Sequence, residues 1–191
     1  TVTVSGTTYA IEGLAYHDHQ WMNISQLQAW HHWLWGHLYT DNYTVIIYDF
    51  VTSEQFGFTN VPMFGVFDNK TGKLIFETDG NLERKTTSYM QKETQKEFPK
   101  ASHYTFTNNN GDRVVFDVEA KDEIEIRNMY GDATPQQKQL FDRFNVEPAY
   151  IRYFANGTLN LDISGYSNIQ ESGSMIYEFP YIGKKDSRAN I

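Results

Sequence analysis

Hydrophobic and polar positions alternate along most of this chain in short runs broken by turn residues. Val2-Thr3-Val4 and Thr8-Tyr9-Ala10-Ile11 flank Ser5-Gly6, the pattern of a two-stranded hairpin. Residues 43–50 (YTVIIYDF) are β-branched and aromatic, as strands favour. Residues 61–68 and 73–77 flank Asn69-Lys70-Thr71-Gly72, and residues 102–107 and 113–119 flank Asn108-Asn109-Asn110-Gly111. Asn156-Gly157 separates 150–155 from 158–164, and Asn-Gly suits a type I′ turn, so another hairpin is expected there. Residues 14–21, 29–39 and 174–182 also read as strands.

Helix signals are few. Thr134-Pro135-Gln136-Gln137 combines an N-cap, a proline at the first helical position and a glutamine three residues after the cap. A short helix is therefore predicted over 135–144, with Leu140 and Phe144 on one face. Residues 85–100 are polar and read as a helix or a long loop, and the 184–191 tail as a frayed end. Strand candidates recur every ~8–12 residues, which predicts a barrel or sandwich. The expected fold is all-β, an antiparallel lipocalin-like β-barrel with one short helix, in which closure removes exposed edges.

Composition narrows the partners. The chain has 191 residues and no internal repeat or linker, so one domain is expected over 1–191. Its net charge of −8 disfavours nucleic acid and anionic membranes, which require a basic footprint. No run of about 18 apolar residues exists, so no transmembrane segment is expected. There is no cysteine, which excludes disulfides, thiolate metal sites and cysteine nucleophiles. On compartment the reading leans outside the cytoplasm. No nucleophile elbow, dinucleotide fingerprint or P-loop occurs.

The unusual chemistry is concentrated in one window. All four tryptophans and five of the six histidines lie between residues 17 and 37. On a strand, His17, His19 and Trp21 would share one face, with Tyr16, Asp18 and Gln20 on the other. Trp33, Trp35 and His37 would likewise share a face, opposite His32 and Leu34. Plain aromatic packing is one reading of this window. A second is a metal site, because His-x-His points two imidazoles the same way and His37 or Glu178 could supply a third ligand. A third is acid–base chemistry by Asp and His in an apolar pocket, with π-faces able to stabilise a carbocation. The fourth is binding of an apolar ligand. No metal is expected: the imidazoles and carboxylates are better explained as hydrogen-bonding handles set into a dry aromatic wall.

The order of features resembles the carotenoid 1,2-hydratase (hydroxyneurosporene synthase) and AttH-like family. The residues that carry the resemblance are Tyr9 to Gly13, Tyr16-His17-Asp18-His19-Gln20-Trp21, Trp33-Leu34-Trp35-Gly36 and Tyr48-Asp49, then Gly165-Tyr166 to Glu171 and Ile176-Tyr177-Glu178. Met22 departs from the family glycine. The first fifty residues match best. The resemblance implies two lipocalin-like barrels in tandem, with this chain as the second, C-terminal half of a longer protein and an upstream lipocalin-like barrel as its partner in the full-length chain. It also implies cofactor-free water addition to an isoprenoid double bond, or ring closure. By carry-over the catalytic set is His19, Trp21, Tyr48 and Asp49, with Tyr39 and Asp41 as the alternative to the last two. Asp18 or Asp49 with His19 would move the proton. The ligand-binding set is His17, Trp21, Trp33, Trp35, His37 and Glu178. For the isolated chain the leading expectation is a binder of an apolar small molecule. The alternative is a cofactor-free hydratase or cyclase.

Overall fold

The computed structural model describes every residue except Leu14, Asp79 and Asn190. Along the chain run β1 (Val2–Val4), β2 (Thr7–Tyr9), α1 (Gln26–Ala29), β3 (Trp30–Tyr39), β4 (Tyr43–Thr52), β5 (Asn60–Asp68), β6 (Lys73–Glu77), β7 (Leu82–Met90), β8 (Glu97–Thr107), β9 (Arg113–Arg127), α2 (Pro135–Arg143), β10 (Val146–Ile163) and β11 (Tyr166–Gly183). β1 and β2 form a separate exposed hairpin. Its Ser5 and Gly6 have φ of 49° and 82°, the two positive values a type I′ turn needs. The other nine strands form one sheet in the order β6-β5-β4-β3-β11-β10-β9-β8-β7, antiparallel throughout.

Chain neighbours pair along this sheet, except that β3 pairs with β11. That pairing leaves β6 and β7, consecutive in sequence, as the two edges. Among the described residues no ladder joins them, so the expected closure of the barrel is not realised. β6 is short, and β7 carries Glu83, Arg84 and Lys85, charges that blunt an edge against further pairing. The sheet still curls until its inner faces meet. Phe64 of β5 stacks on Phe106 of β8 with centroids 3.9 Å apart, and Asp49 of β4 pairs with Arg84 of β7 across the open seam. Phe64, Phe98, Phe106, Phe116, Tyr104, Tyr153 and Tyr177 fill the interior.

Several expected elements are corrected. Residues 15–21 carry no strand, and Leu14, the first residue of that expected strand, lies outside the described residues. Asn156-Gly157 is not a turn but the middle of β10, an 18-residue strand. The turn to β11 falls at Ser164-Gly165, with Gly165 at φ 84°. Residues 85–100 form neither helix nor long loop; they hold most of β7, a tight turn and the start of β8. α2 forms with the full capping box between Thr134 and Gln137, and α1 adds a second short helix. The tail is tied down, since Arg188 bonds Glu54 and Asp186 and Ala189 is buried.

Candidate functional site

β3 and β4 set the site by their alternation. Leu34, Gly36 and Leu38 of β3 and Val45, Ile47, Asp49 and Val51 of β4 point into the interior. Trp33, Trp35 and His37, with Ile46, Tyr48 and Phe50, therefore line the outer face. Trp33, Trp35 and His37 decorate the outside of the sheet, His31 and His32 are buried, and the rest of the interior goes to phenylalanines, tyrosines and aliphatics. The reason is packing: Gly36 faces inward where a Cβ would stand 2.6 Å from Met175 and 3.1 Å from Ile47, so this stretch of the interior has no room for bulk.

The irregular segment after β2 lies across this outer face. Tyr16 sets its ring against Trp35 at 5.3 Å and His37 at 4.6 Å. The stack continues through Tyr48 and Phe50, parallel at 5.4 Å, to Trp30, stacked on Phe50 at 4.5 Å. Beside it runs a groove of about 460 Å³, lined by Asp18, Trp21, Met22, Trp30, Trp33, Tyr48, Phe50, Val61 and Met63 among others.

Asp18 is the polar centre of the groove. Its Oδ2 accepts from Tyr48 Oη at 2.8 Å, from Tyr16 Oη at 3.1 Å and from Gln20 Nε2 at 3.1 Å. Gln20 Nε2 also donates to Tyr48 Oη. Oδ1 has no hydrogen bond among the described residues. The Tyr48 bond is the largest influence holding the Asp18 carboxyl below the usual carboxylate range, and the Tyr16 and Gln20 bonds add to it. Burial, then the bond to Asp18, pushes the Tyr48 phenol far up; the same two causes raise Tyr16. Burial alone lowers His37. At neutral pH the site thus holds an ionised carboxylate, two intact phenols and a neutral imidazole.

Asp49 is fully buried on the opposite side of the sheet from the groove, paired with Arg84 and accepting a hydrogen bond from Asn60 Nδ2. His19 meets Trp21 edge-on at 5.6 Å, and Trp21 is 83% exposed. His17 makes no hydrogen bond among the described residues. Glu178 faces outward across from Trp35 and accepts from Arg152 Nε at 2.8 Å, so an ion pair engages it. Tyr39 and Asp41 do not line the groove. Among the described residues no three His, Asp or Glu side chains converge as metal ligands would. Tyr16, Gln20, Trp30, Phe50 and Met63 were not candidates from sequence. Phe50 could have been found, since it shares the face of Tyr48 two residues on.

No family model and no curated protein sequence matches the chain. Among solved structures it is similar to CghA with Sch210972, at 8% identity and a TM-score of 0.53, over 82% of this chain and 42% of that one. It is similar to CghA alone at 8% identity and a TM-score of 0.55, over 84% and 42%. It is also similar to kievitone hydratase from Nectria haematococca at 14% identity and a TM-score of 0.50, over 80% and 40%. The chain thus spans about two-fifths of the length of these structures. At such identities the likeness is one of fold, and this chain shares their lipocalin-like, all-β architecture.

Proposed function

We propose that the outer-face groove binds an apolar small molecule, isoprenoid or similar, that carries a hydroxyl. Its body would lie on Trp33, Phe50 and Met63, and its hydroxyl would donate to Asp18 Oδ1. The observation that carries this reading is the division of labour on Asp18: three donors fill Oδ2 and leave Oδ1 open at the edge of an aromatic groove. Such a site is largely apolar with a few placed polar groups, the usual make-up of a ligand pocket. The groove is open on its outer side. In the tandem arrangement that the sequence resemblance implies, an upstream barrel would cover it. Titration with farnesol, followed by tryptophan fluorescence, tests the reading. Saturable binding is expected, weakened about tenfold or more by Asp18→Ala and by Trp33→Ala. Unchanged affinity in both variants would sink it.

A second reading is a cofactor-free hydratase or cyclase, favoured by the same ionised carboxylate facing aromatic rings, a setting that stabilises positive charge on carbon. Asp18 would act as base and electrostatic partner. Neither raised phenol nor the neutral His37 is a strong acid, so His17 and His19 of the crossing segment are left to deliver a proton, and His19 stands beside the groove residue Trp21. Incubation with an isoprenoid polyene in water enriched in heavy oxygen separates the two readings. A hydratase would incorporate the label, a cyclase would convert the polyene to an unlabelled cyclic isomer, and either would lose that turnover in His19→Gln while still binding. A binder would return the polyene unchanged and tolerate the substitution.

A further inference from the structure

A second cavity, of about 630 Å³, opens where α1, the start of β3, the C-terminal end of α2 and the end of β11 meet. α1 stands between it and the groove: Gln26 lines the groove, Leu27 and Gln28 line the cavity, and Trp30 borders both. The charge here runs against that of the whole molecule. The chain carries −8, yet Arg143, Lys184 and Lys185 line this cavity, and none has an acidic partner among the described residues. The two carboxylates that also line it, Glu54 and Asp186, are both engaged by Arg188, at 2.7 and 2.6 Å. Arg188 belongs to a neighbouring cleft, so its single charge offsets one of the two acids without filling the cavity. Three cations then face one uncompensated carboxylate charge, and the field left inside is positive.

The rim is fixed from below. His31 is buried, and its Nε2 lies 2.7 Å from the Lys184 carbonyl oxygen, which makes that nitrogen the donor. Its Nδ1, 2.7 Å from His32 Nδ1, then accepts from His32 in the neutral pair. Lys96 Nζ donates to the neighbouring Gly183 carbonyl and sits 4.0 Å over the Tyr181 ring. Buried donors thus hold two successive carbonyls, and with them the backbone that presents Lys184 and Lys185. Trp30 and Phe58 supply apolar wall.

We propose that this cavity is a binding site for a small organic anion, with its phosphate or carboxylate held by Arg143, Lys184 and Lys185 and a flat apolar body against Trp30 and Phe58. The site stands independently of the groove. Titration of the protein with phenyl phosphate, with benzoate and with phenol as the uncharged control tests it, read by NMR at the His31 ring and the Trp30 indole. Saturable shifts of both signals are expected with at least one anion and not with phenol. The tighter anion tells phosphate from carboxylate. Arg143→Gln/Lys184→Gln/Lys185→Gln, three exposed positions, should weaken binding about tenfold or more while circular dichroism stays unchanged. The proposal is overturned if neither anion gives saturable shifts, if phenol binds as tightly, or if the triple variant keeps the affinity of the parent.

Discussion

Tyr48 and Asp49 are adjacent in sequence and stand on opposite faces of β4. The Tyr48 hydroxyl gives its hydrogen bond to Asp18 in the outer groove, 2.8 Å away. The Asp49 carboxylate is buried in the interior and pairs with Arg84 of the edge strand β7. One strand therefore holds both the groove and the seam. Asp49→Asn removes a fully buried carboxylate that pairs with the largely buried Arg84 guanidinium and should lower stability by about 3–5 kcal/mol. Asp18→Asn, at an exposed position, should change stability by less than ~1 kcal/mol. Urea unfolding of both variants checks the contrast, and equal losses would refute the separation of roles.

The seam pair also predicts an interaction energy. Asp49→Asn/Arg84→Met also takes away the guanidinium that the single variant leaves facing an amide. The double variant should be more stable than Asp49→Asn alone by about 1 kcal/mol or more. A double-mutant cycle measures it, and simple additivity would show that the pair does not span the seam.

Two glycines should respond differently to alanine. A Cβ on Gly183 would stand 2.1 Å from the His31 ring, a buried group tied to the Lys184 carbonyl. Gly183→Ala should cost about 1–3 kcal/mol and shift the His31 NMR signals. At Gly36 the nearest atom is the flexible methyl end of Met175, at 2.6 Å, so Gly36→Ala should cost less, ~1 kcal/mol. Thermal denaturation of the two variants ranks them, and the reverse order would contradict the packing described.

Lys96 predicts a pH signature. Burial pushes its amine down from 10.5 to about 8, against the pull of Glu147. The unfolded chain holds this proton until 10.5 and the folded one releases it near 8. Between those values the unfolded state binds more protons, so stability contributed at this site rises with pH. The packed neighbours do not titrate in the window: burial lowers His31, and Tyr181 is pushed up to about 12. The stability of the parent relative to Lys96→Met should therefore grow by on the order of 3 kcal/mol from pH 8 to 10.5. A flat difference would show that Lys96 is not buried in its charged form.

Turn chemistry made some of the fold legible in the sequence and hid other parts. Ser5-Gly6 forms the turn its residues demand, and Thr134-Pro135-Gln136-Gln137 starts the helix it signals. Asn156-Gly157 misleads because its glycine serves close packing: a Cβ on Gly157 would lie 2.9 Å from Met175 Sδ and 3.1 Å from Leu38. β7 is hidden because the middle of its inward face, between Leu82 and Tyr89, is polar. Arg84 pairs with Asp49 and Thr86 lies 3.3 Å from Ser102, so no apolar period marks the strand. Alternation groups Trp33, Trp35 and His37 on one face, but the inward side goes to the smaller Leu34, Gly36 and Leu38. The meeting of Asp18 with Tyr48 is invisible to any period, because residues 15–20 cross the sheet without regular structure.

A crystal structure of the protein soaked with farnesol tests most directly whether ligands bind on the outer face. The account predicts density along Trp33, Phe50 and Met63, with the alcohol oxygen within about 3 Å of Asp18 Oδ1. Farnesol inside the sheet among Phe64, Tyr104 and Phe106, with the groove empty, would contradict it.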